Sequence, residues 1–153
     1  MSRQEKGFTL VELMMTLAVI GVIAVFALPM FGDVVERNRV VAKSNEIVGA
    51  IAFARTEAVK TGKAAYVEAT GGDWKNGLSV TDSKRTTTLR QVDLPKGYTL
   101  AATTTTVAVG FDSTGFASST LTLRLCPADK SIPGKEYSIA KSGLVSVTSY
   151  TCP

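Results

Sequence analysis

One carboxylate, Glu12, stands alone in an otherwise uncharged, apolar run covering residues 8–31. A carboxylate at membrane depth costs about 2.5 to 3.5 kcal/mol on insertion scales, so one retained there has a partner or a task. The other candidates for covalent chemistry are Cys126 and Cys152, far from any CxxC spacing and too few for a structural zinc site. Histidine is absent from the chain, which removes Ser/His and Cys/His nucleophile pairs and the commonest metal ligand. The expectation is a protein that is not an enzyme and holds no metal and no cofactor.

At about 1.5 Å per residue, residues 8–31 make a helix of roughly 36 Å, enough to cross a hydrocarbon core of about 30 Å. They are therefore read as the transmembrane half of an N-terminal helix. A secretory signal places its apolar segment before the cut. Here the short charged leader ends at Gly7 and the apolar segment follows, so a cut after Gly7 leaves the whole helix in the mature chain. That order, with Gly7, Phe8, Thr9, Leu10 and Glu12, resembles the type IV prepilin leader read by prepilin peptidase. The resemblance implies removal of residues 1–7, cleavage between Gly7 and Phe8, and N-methylation of Phe8. It also implies that the new Phe8 amine pairs with Glu12 of a neighbouring subunit during assembly. Spacing by itself shows only the isolated charge.

The full chain of 153 residues carries 17 Lys and Arg against 13 Asp and Glu, a formal net charge of +4. The excess is mild and dispersed, and reads as a solvated surface rather than a nucleic-acid patch. Arg3 and Lys6 ahead of the apolar run favour a cytoplasmic N-terminus, and Arg37 and Arg39 beyond it weaken the asymmetry. The expected location is the bacterial inner membrane, crossed once, with the remaining domain in the periplasm. In that oxidising compartment two cysteines have one intramolecular connectivity, Cys126 to Cys152, worth about 3 to 4 kcal/mol in the chain-entropy model.

Pro29 removes a backbone donor and crowds the preceding turn, so the helix is expected to kink there. Residues 32–62 form its amphipathic half: Val34, Val41, Val48, Ala52 and Val59 fall on one stripe, widened by Val40, Ile47, Ile51, Ala54 and Ala58. Gly62 ends it. Residues 63–153 turn to Thr, Val, Gly and Ser, with strands expected at 64–69, 78–81, 87–94, 98–102, 106–111, 121–125, 137–140 and 144–148. The fold class is α+β: a long N-terminal transmembrane-plus-amphipathic helix packed against an antiparallel β domain. Trp74 reads equally as a half-buried packing residue or as part of a contact surface, and is assigned no function.

Three stretches, DWKNGLSV at 73–80, GFDSTGFASSTLTLRLC at 110–126 and SGLVSVTSYTC at 142–152, resemble the pseudopilin H and fimbrial T-type minor pilin family. The resemblance implies a pilin fold and a minor pilin, a structural subunit that helps initiate or cap a type IV pilus in pilus biogenesis and twitching motility. The alternative is the H pseudopilin of a type II secretion system. A cysteine pair closing the C-terminal end leans toward the pilus. Implied partners are other major and minor pilins or pseudopilins, prepilin peptidase and the inner membrane. Some fimbrial T-type relatives implicated in DNA uptake carry Gly-Arg-x-Arg near the C-terminus. Here Gly143, Leu144, Val145 and Ser146 occupy those places, without the cations that supply phosphate affinity, so a DNA-binding competence subunit ranks last.

Overall fold

The structure, a computed structural model, describes residues 7–153, and the side chains of residues 26–30 stand outside the description. The leader residues 1–6 and the kink expected at Pro29 therefore lie outside the described residues. Two compact units are present, residues 1–36 and 37–153, and a single helix, α1 (Leu10–Thr61), contributes to both. It starts after Thr9 and stops at Gly62, whose φ of 66° lies in the left-handed region that glycine enters without a Cβ penalty.

Among the described residues of the first unit, every side chain from residue 7 to 25 is exposed except Ala24, which is half-buried. Leu10, Phe8 and Val25 are among the most exposed apolar side chains of the protein. Among the described residues no helix is long and apolar enough to cross a membrane. The segment expected to do so, 8–31, includes the undescribed side chains.

The second unit joins the rest of the helix to strands β1 (Ala65–Ala69), β2 (Leu78–Thr81), β3 (Thr88–Val92), β4 (Thr99–Ala102), β5 (Ala108–Phe111), β6 (Leu121–Cys126), β7 (Gly134–Ile139) and β8 (Val145–Tyr150). They form two four-stranded antiparallel sheets, ordered β3-β2-β1-β5 and β4-β6-β7-β8. Alternation sets which face is buried: Leu121, Leu123 and Leu125 of β6 point into the core, while Thr122 and Arg124 are half-exposed. Strand β8 closes the second sheet as an exposed edge.

Both sheets share one core with the helix, including Val40, Ile47, Ile51, Val67, Phe111 and Tyr137. The helix face that enters this core is the line expected to widen the stripe rather than the line expected at its centre. Val40, Ser44, Ile47, Ile51, Ala54 and Ala58 are buried, whereas Val34, Val41, Ala52 and Val59 are exposed and Val48 is half-buried. Two adjacent apolar lines satisfy the same helical period, and size chooses between them. Ala50, Ala54 and Ala58, all fully buried, let the β domain approach the helix backbone closely. A larger side chain there would overpack the contact, at about 1 to 3 kcal/mol.

Candidate functional site

At the N-terminus, Thr9 and Glu12 cap the helix reciprocally. The Glu12 amide donates to Thr9 Oγ1 at 3.2 Å, and the Thr9 amide and hydroxyl donate to Glu12 Oε2 at 2.9 and 2.8 Å. This is a capping box, which satisfies donors that the first helical turn otherwise leaves open. Thr-x-x-Glu ahead of an apolar run is its sequence signature, legible at residues 9–12. The reading of Glu12 as an isolated charge missed it. Among the described residues Oε1 of Glu12 accepts nothing, so one oxygen of the carboxylate is committed to the cap and the other is open. Gly7 and Phe8 precede the helix and are exposed.

At the other end, Cys126 and Cys152 are bonded, with Cα atoms 5.8 Å apart. The bridge fastens the C-terminal residues to the end of β6, across β7. Close packing makes room for it: a Cβ on Gly134 would fall 2.1 Å from the Leu125 carbonyl oxygen and 2.7 Å from Cys152 Sγ. Beside it, Arg124 pairs with Glu136 at 2.6 Å and lies 4.4 Å from the centroid of the Tyr150 ring. The guanidinium is thereby held between two strands on the outer face of the second sheet.

The two turns that carry the family-like Gly115 and Gly143 meet against the helix. Asp112 Oδ1 accepts from Thr114 N at 2.9 Å, Thr114 Oγ1 at 2.6 Å and Phe116 N at 3.0 Å. These bonds, the Thr114 hydroxyl foremost, hold its carboxyl below the usual aspartate range. The Ala117 amide donates to the Lys141 carbonyl at 2.9 Å, and Arg55 Nη2 of the helix donates to the Ser142 carbonyl at 3.4 Å. The stretches that begin at Gly110 and Ser142 are thus brought together. The third, around Trp74, sits elsewhere: its ring is buried rather than half-buried, and its indole N–H donates to the Thr106 carbonyl at 3.1 Å. A buried indole with its one donor satisfied is a packing group.

Leu144 and Ser146 are both exposed, so the two positions that arginines would occupy are open to solvent and carry no charge of their own. Among the described residues no group of three or more His, Cys, Asp or Glu side chains is placed to hold a metal ion.

Residues 43–143 match the family described as type II transport protein GspH, and residues 2–28 match the prokaryotic N-terminal methylation motif. A fimbrial protein of Pseudomonas aeruginosa is 36% identical over 81 residues, which is 53% of this chain and 52% of that protein. A type IV major alpha-pilin of Moraxella bovis is 31% identical over 83 residues, 54% of this chain and 52% of that one. The chain spans about half the length of the curated relatives it matches. Among solved structures, the type IV minor pilin FimU of Pseudomonas aeruginosa superposes with a TM-score of 0.63 at 24% identity, covering 74% of this chain and 90% of that one. That is a likeness of fold.

Proposed function

We propose, for a chain that belongs to the GspH family of type II transport proteins, the role of a minor pilin: a structural subunit that helps initiate or cap a type IV pilus. Pilin and pseudopilin families are structural, and assembly rather than catalysis is the task this chain is built for. One observation carries the reading. Apart from Glu12 and Thr16, the helix from Leu10 to Val25 is apolar around its circumference, its side chains are exposed except for half-buried Ala24, and it lies within the prokaryotic N-terminal methylation motif matched at residues 2–28. A helix that is apolar all round belongs in lipid or among other helices. A subunit held in the inner membrane and then drawn into a filament core meets both environments in turn.

In this reading the N-terminus faces the cytoplasm and the globular unit faces the periplasm. Prepilin peptidase cuts between Gly7 and Phe8, and the Phe8 amine is methylated. Glu12 keeps its cap through Oε2 while Oε1 receives the Phe8 amine of the adjacent subunit. The charge pair forms where water is scarce, so it is worth more there than at a surface.

Intact-mass measurement of the membrane-extracted protein tests the processing. A mass lacking residues 1–7 and carrying one added methyl group is expected, and retention of those residues in peptidase-positive cells would rule the reading out. A second reading, the H pseudopilin of a type II secretion system, is favoured by the description of the matched family itself. Deletion separates the two: loss of surface pili and twitching with intact secretion is expected for the minor pilin, and the reverse for the pseudopilin.

A further inference from the structure

Three large apolar side chains stay in solvent around the junction of the two glycine turns: Val59, 52% exposed, Phe116, 55%, and Leu144, 64%. None of them serves the core. Phe116 and Leu144 each follow directly on a glycine, and the glycines fix where they stand. A Cβ on Gly143 would fall 2.1 Å from the Gly115 carbonyl oxygen, and a Cβ on Gly115 would fall 2.9 Å from Arg55 Nε and 3.4 Å from Val59 Cγ2. With φ values of 84° and 78°, both positions also require the left-handed region. Backbone therefore touches backbone here, the Asp112 turn is locked by its own side chain, and the following residues are held outward on rigid supports. Preorganised apolar groups of this kind contribute to binding without an ordering cost.

Among the described residues, the charges around them that lack a close partner are cations. Arg55 and Lys141 meet no carboxylate among the described residues, and Lys60 is only loosely paired with Glu57 at 3.9 Å. The nearby Asp112 carboxylate is turned into its own loop. Beside the turns, Arg55, Val59, Lys60 and Thr114 line an open depression of about 450 Å³. An apolar centre with a cationic rim complements an acidic segment that carries large apolar residues.

We propose that this face, centred on Val59, Phe116 and Leu144 and rimmed by Arg55, Lys60 and Lys141, docks an acidic, apolar segment of a neighbouring pilin subunit. The proposal rests on the minor-pilin reading and adds to it where one lateral contact lies and what chemistry the neighbour supplies. The apolar centre fixes the position and the cations select the partner.

The test places a photo-reactive phenylalanine analogue at Leu144 of the full-length chain in cells that assemble pili, with Ser131 as the control position. Cross-linked peptides are then identified by mass spectrometry. The expected product joins Leu144 to a pilin peptide that carries Asp or Glu beside apolar residues. Its yield should fall on the order of tenfold in Lys60→Glu with Lys141→Glu and persist in Lys141→Arg. Cross-linking no stronger than at Ser131, insensitivity to charge reversal, or a product with nucleic acid or with a protein that is not a pilin would overturn it. Co-fractionation of the same chain with sheared filaments is scored in parallel. A chain that enters filaments without the cross-link loses the docking face and keeps the minor-pilin reading; a chain that never enters filaments loses that reading.

Discussion

Glu12 accepts both hydrogen bonds from Thr9 through a single oxygen, Oε2, at 2.9 Å from the amide and 2.8 Å from the hydroxyl. The two tasks assigned to this side chain, capping its own helix and meeting a neighbour's amine, are therefore separable by mutation. Glu12→Gln keeps an acceptor for Thr9 and loses the charge. Glu12→Ala loses both, with a cap loss of about 1 kcal/mol. Membrane insertion should hold or improve in each, because the span becomes more apolar. Incorporation into sheared filaments, at matched expression, should fall in both. If Gln incorporates as well as the native residue, the cap is the whole role of Glu12.

The disulfide gives the second prediction. Protein produced in the periplasm should contain no titratable thiol, and Cys152→Ser should lower the unfolding free energy of the globular unit by about 2 to 5 kcal/mol. Gly134→Ala should destabilise the same region with both cysteines present, since its methyl group would overlap the Leu125 carbonyl and Cys152 Sγ. Chemical denaturation of the three proteins, side by side, checks both statements.

Tyr137 sets a pH limit. Burial pushes its phenol up to about 12, an effect the neighbouring Ser44 hydroxyl only partly offsets, and among the described residues neither Ser44 nor any other group meets its hydroxyl in good hydrogen-bonding geometry. A pKa raised on folding stabilises the protein fully below the unfolded value of about 10 and loses that contribution as pH rises through the folded value. Unfolding free energy should therefore decline between about pH 10 and 12. Tyr137→Phe should flatten that part of the curve without weakening the protein near neutrality, as it removes an unpaired hydroxyl from the core. An unchanged slope in the variant would assign the alkaline loss to other groups.

Much of the fold was legible from the sequence. All eight expected strand positions hold strands, and the β2 bounds, Leu78–Thr81, coincide with those expected because Asn76 with Gly77 and the following polar turn punctuate the segment. Strand β7 begins at Gly134, three residues before the expected start. Proline and glycine at 133 and 134 signal a turn locally, yet Gly134 pairs with Tyr150 and is small because the disulfide passes over it. The buried helix face was half read: Val40, Ile47, Ile51, Ala54 and Ala58, expected to widen the stripe, are buried, while Val34, Val41, Ala52 and Val59 are exposed, because periodicity by itself does not choose between adjacent apolar lines. Sheet order is a matter of long-range pairing and left no local trace. Of the candidate site, the cysteine pair and the leader were readable, and the Thr9 cap was readable but overlooked. The meeting of Gly115, Gly143 and Arg55 depends on residues far apart in the chain.

Nucleic acid supplies a further prediction. A net charge of +4, screened over about 8 Å at physiological salt, supports only weak and non-specific attraction. The protein should shift DNA in a mobility assay at low salt and lose that binding at physiological salt. Leu144→Arg with Ser146→Arg should strengthen the shift, since both positions are exposed. Tight binding by the native protein at physiological salt would place a DNA-contacting surface elsewhere on the molecule.

The covalent link between Cys126 and Cys152 also has a mechanical consequence. The two residues are 26 positions apart in sequence, so a chain pulled by its ends transmits load through the bridge and bypasses β7 and β8. Roughly 90 Å of contour length is thereby withheld from extension, at about 3.5 Å per residue. Load applied between the ends of the chain therefore leaves β8 on the edge of its sheet as long as the sulfurs stay joined.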